Sequence, residues 1–215
     1  MASLTIENYV KTIYQLSAGH EAAATGKLAE ALGVSPGTVT SMLKTLSESG
    51  LAEYIPYEGA RLTEAGSTLA LRVLRRHRLI ELFLVRTLKL TWDEVHEEAE
   101  NMEHAVSDLL VDRIDTFLGY PATDPHGDPI PKADGTVAGS TGRCLSQMRV
   151  GSRFRVVRVI DQSPDFIRYL TETGLQLNAA GTVVMNRLES GTITVDVAGQ
   201  QTTLAHSVAD RLLVM

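Results

Sequence analysis

The sequence has one cysteine, Cys144, among its 215 residues. That excludes an internal disulfide framework and any cysteine-rich zinc or iron–sulfur site. A lone thiol fits a reducing compartment, and a cytoplasmic location is expected. Aromatic residues are scarce at 5%, so the core must be mainly aliphatic. No apolar run approaches the ~18 residues that a membrane-spanning helix requires, so no membrane partner is expected. The opening stretch, MASLTIENYVKTIYQL, carries Glu7 early and lacks the basic-then-apolar layout of a secretory signal. An excess of positive charge is also missing, the formal net charge being −6. This argues against coating nucleic acid through bulk charge, but leaves room for a dimer that reads DNA with a small local surface.

Hydrophobic residues at 44% and charged residues at 21% give the balance of an ordinary folded protein. Charge is unevenly placed: residues 1–66 and 67–118 each carry net −3, residues 119–142 net −2, and residues 143–215 net +2. The 119–142 stretch holds Pro121, Pro125, Pro129 and Pro131, shows no apolar periodicity and reads as a linker. It separates two unlike halves.

The first half is helical. Leu4, Ile6, Tyr9, Val10, Ile13 and Leu16 follow the 3.6-residue period. A short second helix fits Lys27 to Leu32 and stops at Gly33. A third begins with Ser35 as N-cap and Pro36 at the first helical position, with Val39, Met42, Leu43 and Leu46 as its buried stripe. Leu51–Tyr57 and Ala60–Thr63 read as two strands around a Glu58-Gly59 turn. A fourth helix is expected from about Glu64 to Leu88 and a fifth from about Trp92 to Leu118, with a break near Ser107. The second half is β-rich over 154–160, 182–188, 192–197 and 201–204, with a short helix over Pro164–Gly174. Several short strands in about 70 residues point to a small β-barrel. The fold class is therefore mainly α with a small β part. It comprises a winged helix-turn-helix (1–66), a helical domain (67–118), the linker (119–142) and the barrel (143–215).

Residues 24–50 give helix, glycine-containing turn and helix, with the strands after them as a wing, a layout whose second helix enters the major groove. The positions expected to meet DNA are Ser35, Pro36, Gly37, Thr38, Thr40, Ser41 and Lys44. Short hydroxyls can meet phosphates or base edges, and the small Pro36-Gly37 pair allows close approach. Few basic residues lie here, so two half-site contacts from a dimer are needed.

The fifth helix carries His96, Glu100, Glu103 and His104, which helical spacing can bring to one face. The fourth adds His77 and Glu81 at i, i+4. One such pair is an ordinary surface ion pair; three histidines and several carboxylates within 28 residues point instead to a metal site. Imidazole and carboxylate without thiolate suit Mn(II), Fe(II), Co(II), Ni(II) or Zn(II), and several oxygen donors tilt the choice to Mn(II). Met102 and Cys144 are expected to pack, and His20, His126 and His206 to be solvated.

These segments resemble the diphtheria-toxin-repressor family of metal-dependent transcriptional repressors. The resemblance rests on IENYVKTIYQL, the helix-turn-helix, RRHRLIELFL, VHEEAENMEH, DPHGDPIP and PDFIRYLTETGLQLNAAG, and covers essentially the whole chain. It implies a winged-helix domain, a helical dimerisation domain and a barrel like Src-homology-3 domains. It places Glu100, Glu103 and His104 at the primary metal site, with Asn8 in the first helix where the family has Asp or Met. It places His77, Glu81 and His96 at the ancillary site, where Asp165 aligns with a carboxylate donated by the barrel, and Gln162 is a weaker candidate. Lys11 stands where short relatives have Glu, so their close-spaced binuclear cluster is not expected. Iron-responsive members carry cysteine in place of Glu100, so this chain looks like the manganese-responsive subgroup. The implied function is repression of metal-uptake genes by a homodimer on a palindromic double-stranded DNA operator, with no catalysis and no small organic substrate. The alternatives are an iron-responsive repressor of the same family and, from the metal ligands alone, a dinuclear metal hydrolase.

Overall fold

The computed structural model describes residues 3–17, 22–139 and 142–215, and His20 lies outside them. The chain forms two compact units, one of residues 1–76 with 131–136, the other of residues 77–130 with 137–215.

In the first unit, Ser3 caps α1 (Leu4–Leu16) by accepting from the Ile6 amide. α2 (Thr25–Leu32) ends at Gly33, whose left-handed backbone turns the chain into α3 (Pro36–Glu48). Ser35 caps α3 and Pro36 opens it, as the local sequence requires. β1 (Ala52–Ile55) and β2 (Gly59–Leu62) form the antiparallel wing. Gly59 has φ +117°, and a Cβ there would stand 2.3 Å from the Ala23 carbonyl oxygen, so only glycine lets the wing close on that segment. Val10, Ile13, Leu28, Val39, Leu43, Leu46 and Ala60 form one aliphatic core.

α4 (Glu64–Phe83) follows, and the boundary between the units falls within it. The fourth predicted helix ends in a π-helical turn, Leu84–Leu88, closed by Lys89 in the left-handed region. The fifth is divided into α5 (Val95–Met102) and α6 (Asp108–Leu118). The division falls at Ser107, whose hydroxyl caps α6 at the Leu110 amide. Met102 packs beside Ile80, Leu84, Val95 and Ala99.

The proline-rich stretch is more than a tether. Asp124, His126, Asp128 and Ile130 are buried, and Thr123 bridges Pro129. The Asp124 Oδ1 accepts the amides of His126 and Asp128 at 2.8 and 2.9 Å, folding the strap on itself. Fixed proline φ angles lower the entropic cost of this shape.

The C-terminal part is a six-stranded antiparallel sheet in the order β3-β8-β4-β5-β6-β7. The strands are β3 (Arg143–Cys144), β4 (Arg153–Val159), β5 (Ala180–Arg187), β6 (Thr192–Val197), β7 (Gln200–Ala205) and β8 (Leu212–Val214). α7 (Pro164–Glu172) joins β4 to β5, and α8 (His206–Ala209) joins β7 to β8. The free Cys144 is half-buried in β3. Phe154, Val156, Ile167, Leu170, Val183, Ile193 and Val195 lead its core, and Trp92 from the α4–α5 connection packs against them. His206 is held by Asn186, with 2.9 Å between Nε2 and Oδ1. No helix among the described residues is long and apolar enough to cross a membrane.

Candidate metal centre

α4 presents His77 and Glu81 on successive turns, both buried. The Glu81 Oε1 lies 3.0 Å from His77 Nε2 and 3.2 Å from His96 Nδ1, and those two nitrogens are 3.2 Å apart. Ligands bound at about 2.0–2.2 Å to one ion, at right angles to each other, stand about 3 Å apart. The three atoms therefore sit as ligands of a single cation could. The other nitrogen of His77, Nδ1, lies 2.7 Å from Glu103 Oε2. If the N–H of a neutral imidazole points to Glu103, Nε2 turns a lone pair to the Glu81 carboxylate. A proton or a cation relieves that repulsion.

Glu103 closes α5 and keeps helical backbone angles, so it follows Glu100 by one turn. Its side chain is fully buried. Its Oε1 lies 3.1 Å from His104 Nε2, and Glu100 Oε1 lies 3.8 Å from His77 Nδ1. His77, Glu100 and Glu103 form a second set able to converge on one ion. Of the expected primary residues, Glu100 and Glu103 converge with His77, while His104 meets the other oxygen of Glu103, so that His77 links the primary carboxylates to the expected ancillary residues. Asn8 belongs to the first unit. Its amide oxygen is buried and makes no hydrogen bond among the described residues.

A third set was not anticipated. Glu81, Asp124 and His126 converge, all three buried. Among the described residues one ligand atom on each makes no close hydrogen bond: Glu81 Oε2 and His126 Nδ1 face each other at 3.8 Å, and Asp124 Oδ2 faces Arg78 Nε at 3.7 Å. Such orphans are costly in a protein interior unless an ion or a water completes them. The His126 Nε2 donates to the Trp92 carbonyl at 2.8 Å, which leaves Nδ1 as the ligand atom. His126 was expected to be solvated; it is fully buried because the strap turns it inward. The sequence signal for the set is Asp124-x-His126, spacing that is invisible to a helical-period reading.

Electrostatics follow from burial. Desolvation raises the Asp124 pKa to about 7, helped by the negative charges of Glu81 and Asp128. Burial alone would also raise Glu81, but His77 and the hydrogen bonds from His126, His77 and His96 hold it well below the usual carboxylate range. For His126 burial opposes the charge, yet its bond to Glu81 and the neighbouring carboxylates raise its pKa.

Asp165 is not brought to these groups. Its side chain is 95% exposed and bonds Arg168 one turn on in α7. The aligned position is therefore occupied by a local i, i+3 ion pair. Gln162 reaches the strap instead, donating to Asp128 Oδ2 at 2.6 Å. Gly127 sets the strap's approach to β4. It has φ +87°, and a Cβ there would stand 2.1 Å from the Val157 carbonyl oxygen. Gly127→Ala is expected to cost about 2–4 kcal/mol in denaturant unfolding, because left-handed strain and a backbone clash add.

Of the expected DNA positions, Ser35, Pro36, Gly37, Thr38, Ser41 and Lys44 are exposed on α3 and at its cap. Thr40 is half-buried and spends its hydroxyl on the Pro36 carbonyl at 3.0 Å.

The helix-turn-helix with its wing and the buried imidazole–carboxylate groups define a DNA-binding protein of a metal-responsive class, and comparison with known proteins agrees. Residues 1–60 match the family model described as "Iron dependent repressor, N-terminal DNA binding domain". Residues 63–132 match "Iron dependent repressor, metal binding and dimerisation domain", and residues 143–215 match the FeoA domain. The iron-dependent repressor IdeR of Mycobacterium leprae is 31% identical, with 95% of this chain and 94% of that protein covered. A solved manganese-dependent transcriptional repressor in complex with manganese is 39% identical, covers 98% of this chain and 99% of its own, and superposes with a TM-score of 0.90. The structure of ScaR with bound Zn2+ is 34% identical, covers 98% of each chain, and has a TM-score of 0.85. The chain belongs to the iron-dependent repressor family, that of IdeR and the diphtheria toxin repressor. These are metal-dependent transcriptional repressors that bind DNA and dimerise through the metal-binding domain; they are not enzymes, which removes the hydrolase alternative.

Proposed function

We propose that the protein is a manganese-responsive repressor that acts in the cytoplasm as a homodimer on a palindromic operator and controls metal-uptake genes. The observation that carries the metal preference is the donor set. The candidate ligands are imidazole, carboxylate and, at Asn8 and Gln162, amide oxygen, with no thiolate among them, and the only cysteine, Cys144, lies in the sheet domain. Hard oxygen donors suit Mn(II), while thiolate would favour softer ions. The solved manganese-dependent relative supports the same reading.

Glu100, Glu103 and His104 would hold one ion. Glu81 would hold a second, with His77 and His96 on its Oε1 side or Asp124 and His126 on its Oε2 side. The Oε2 side is the more enclosed, because its three ligand atoms are buried and none makes a close hydrogen bond among the described residues, although Arg78 Nε stands 3.7 Å from Asp124 Oδ2. Bound cations supply positive charge that cancels repulsion among the buried carboxylates. The exposed apolar face of α6, with Leu109, Leu110 and Phe117, suits the dimer contact. Two recognition helices about 34 Å apart would then meet successive major grooves.

The deciding experiment selects a palindromic duplex from genomic fragments with the metal-loaded protein. Its affinity is then titrated with Mn(II), Fe(II), Co(II) and Zn(II) in parallel. Mn(II) is expected to tighten binding about 5–150-fold through its preference for the DNA-competent state. Equal affinity with and without any metal ends the proposal. Activation by Fe(II) at lower free concentration than Mn(II) favours the iron-responsive alternative, for which the iron-dependent relatives speak.

A further inference from the structure

We propose that Trp92 is the positioning residue through which ion occupancy at Glu81, Asp124 and His126 is transmitted to the sheet domain. The inference rests on the metal-binding reading of that group. The resemblance implied that a carboxylate of the sheet domain, Asp165, would make the link. That side chain is turned to solvent and paired with Arg168, and the connection the structure does form lies elsewhere.

Trp92 touches both ends. Its backbone carbonyl accepts the Nε2–H of His126 at 2.8 Å. Its indole lies nearly parallel to the His126 ring, with 6.1 Å between centroids and 18° between planes. On the other side the indole packs against the sheet-domain core. Its Nε1–H donates to Thr171 Oγ1 at 3.0 Å, and the Thr171 hydroxyl donates in turn to the Ile167 carbonyl at 3.1 Å. A continuous path therefore leads from a candidate ligand nitrogen, across one imidazole and one tryptophan, into α7.

The chemistry gives the path a direction. A cation on His126 Nδ1 withdraws charge from the ring and makes its Nε2–H a stronger donor. The bond to the Trp92 carbonyl tightens, and the turn that carries the indole is fixed in place. The indole fixes Thr171 through a directional hydrogen bond, so α7 becomes more ordered when the ion is bound. By linkage, an ordered α7 strengthens ion binding to the same degree.

The test uses the full-length protein and three measurements. Mn(II) uptake is followed by electron paramagnetic resonance, amide hydrogen exchange is followed over residues 164–175, and emission is recorded from Trp92, the chain's single tryptophan. In the wild type, Mn(II) is expected to slow exchange in α7 at least about fivefold and to quench Trp92 emission. Trp92→Phe keeps the carbonyl and an aromatic ring but loses the indole donor. Thr171→Val removes the acceptor with little change of shape, and serves if the phenylalanine variant loosens α7 by itself. Both should still take up Mn(II), up to about fivefold more weakly by the same linkage, and lose the metal-dependent protection of α7. Emission in Thr171→Val should still be quenched, because Trp92 remains beside His126. Protection that persists in Thr171→Val overturns the proposal, as does a wild type that takes up Mn(II) without protecting α7. A wild type that takes up no Mn(II) brings down the metal reading itself, and this link with it.

Discussion

Replacing Asp124 with asparagine is expected to stabilise the metal-free protein above neutral pH and to cost it one bound Mn(II) per chain. Asp124 has its pKa raised to about 7 by burial and by the negative charges of Glu81 and Asp128. A carboxyl raised this far holds its proton in the native state where the unfolded chain, with the ordinary value near 3.8, has released it. The resulting stabilisation is complete below about pH 4 and is lost as the pH rises through about 7, with an upper bound of about 4 kcal/mol. Asparagine keeps the Oδ1 that accepts the His126 and Asp128 amides and carries no charge to desolvate. In chelator, thermal unfolding should therefore show a gain for Asp124→Asn at pH 8 that shrinks toward pH 4. With Mn(II) the order reverses: at a hundredfold excess over Kd, one filled site adds about 2.7 kcal/mol to the wild type, and the variant lacks that increment. A variant with wild-type stoichiometry shows that Asp124 is no ligand.

Glu103→Gln is expected to remove the metal response of DNA binding while the protein stays folded. Glu103 is fully buried, and its two oxygens address different imidazoles, His104 at 3.1 Å and His77 at 2.7 Å. Glutamine matches its shape, keeps one acceptor and deletes the charge. A neutral amide binds Mn(II) more weakly than carboxylate, and one of the two imidazoles loses its orienting acceptor. Mn(II)-dependent tightening on the operator, about 5–150-fold in the wild type, should fall to near unity in fluorescence anisotropy. Binding without metal should be unchanged. Glu97→Gln, an exposed position on the same helix, is the control and should respond like the wild type. A full response in Glu103→Gln removes Glu103 from the metal centre.

Elements and helix faces were legible in the sequence because they depend on neighbours within a turn. Ser35-Pro36 starts α3 and Gly33 stops α2 by local stereochemistry, and Ser107 divides α5 from α6 by capping an amide three residues on. The same i, i+4 logic places His77 beside Glu81. That His77 should also reach Glu103 was not legible, because it depends on how α4 packs against α5. The resemblance places Asp165 at the ancillary site, while in the structure its side chain pairs with Arg168, three residues away in the chain.

The amino-acid order by itself determined the winged helix-turn-helix, the supply of imidazole and carboxylate donors and the absence of thiolate competition. Those properties belong to single residues or single turns of backbone. Tertiary structure alone decided that Asp124 and His126 are buried against Glu81, and that Trp92 spans from His126 to Thr171. Burial of a loop residue depends on surfaces far away in the chain, and no period records it. A proline-rich strap can wave in water or fold inward to bury its acidic and imidazole side chains with identical local preferences. Here the close approach at Gly127 and the inward turn of His126 fix which it does.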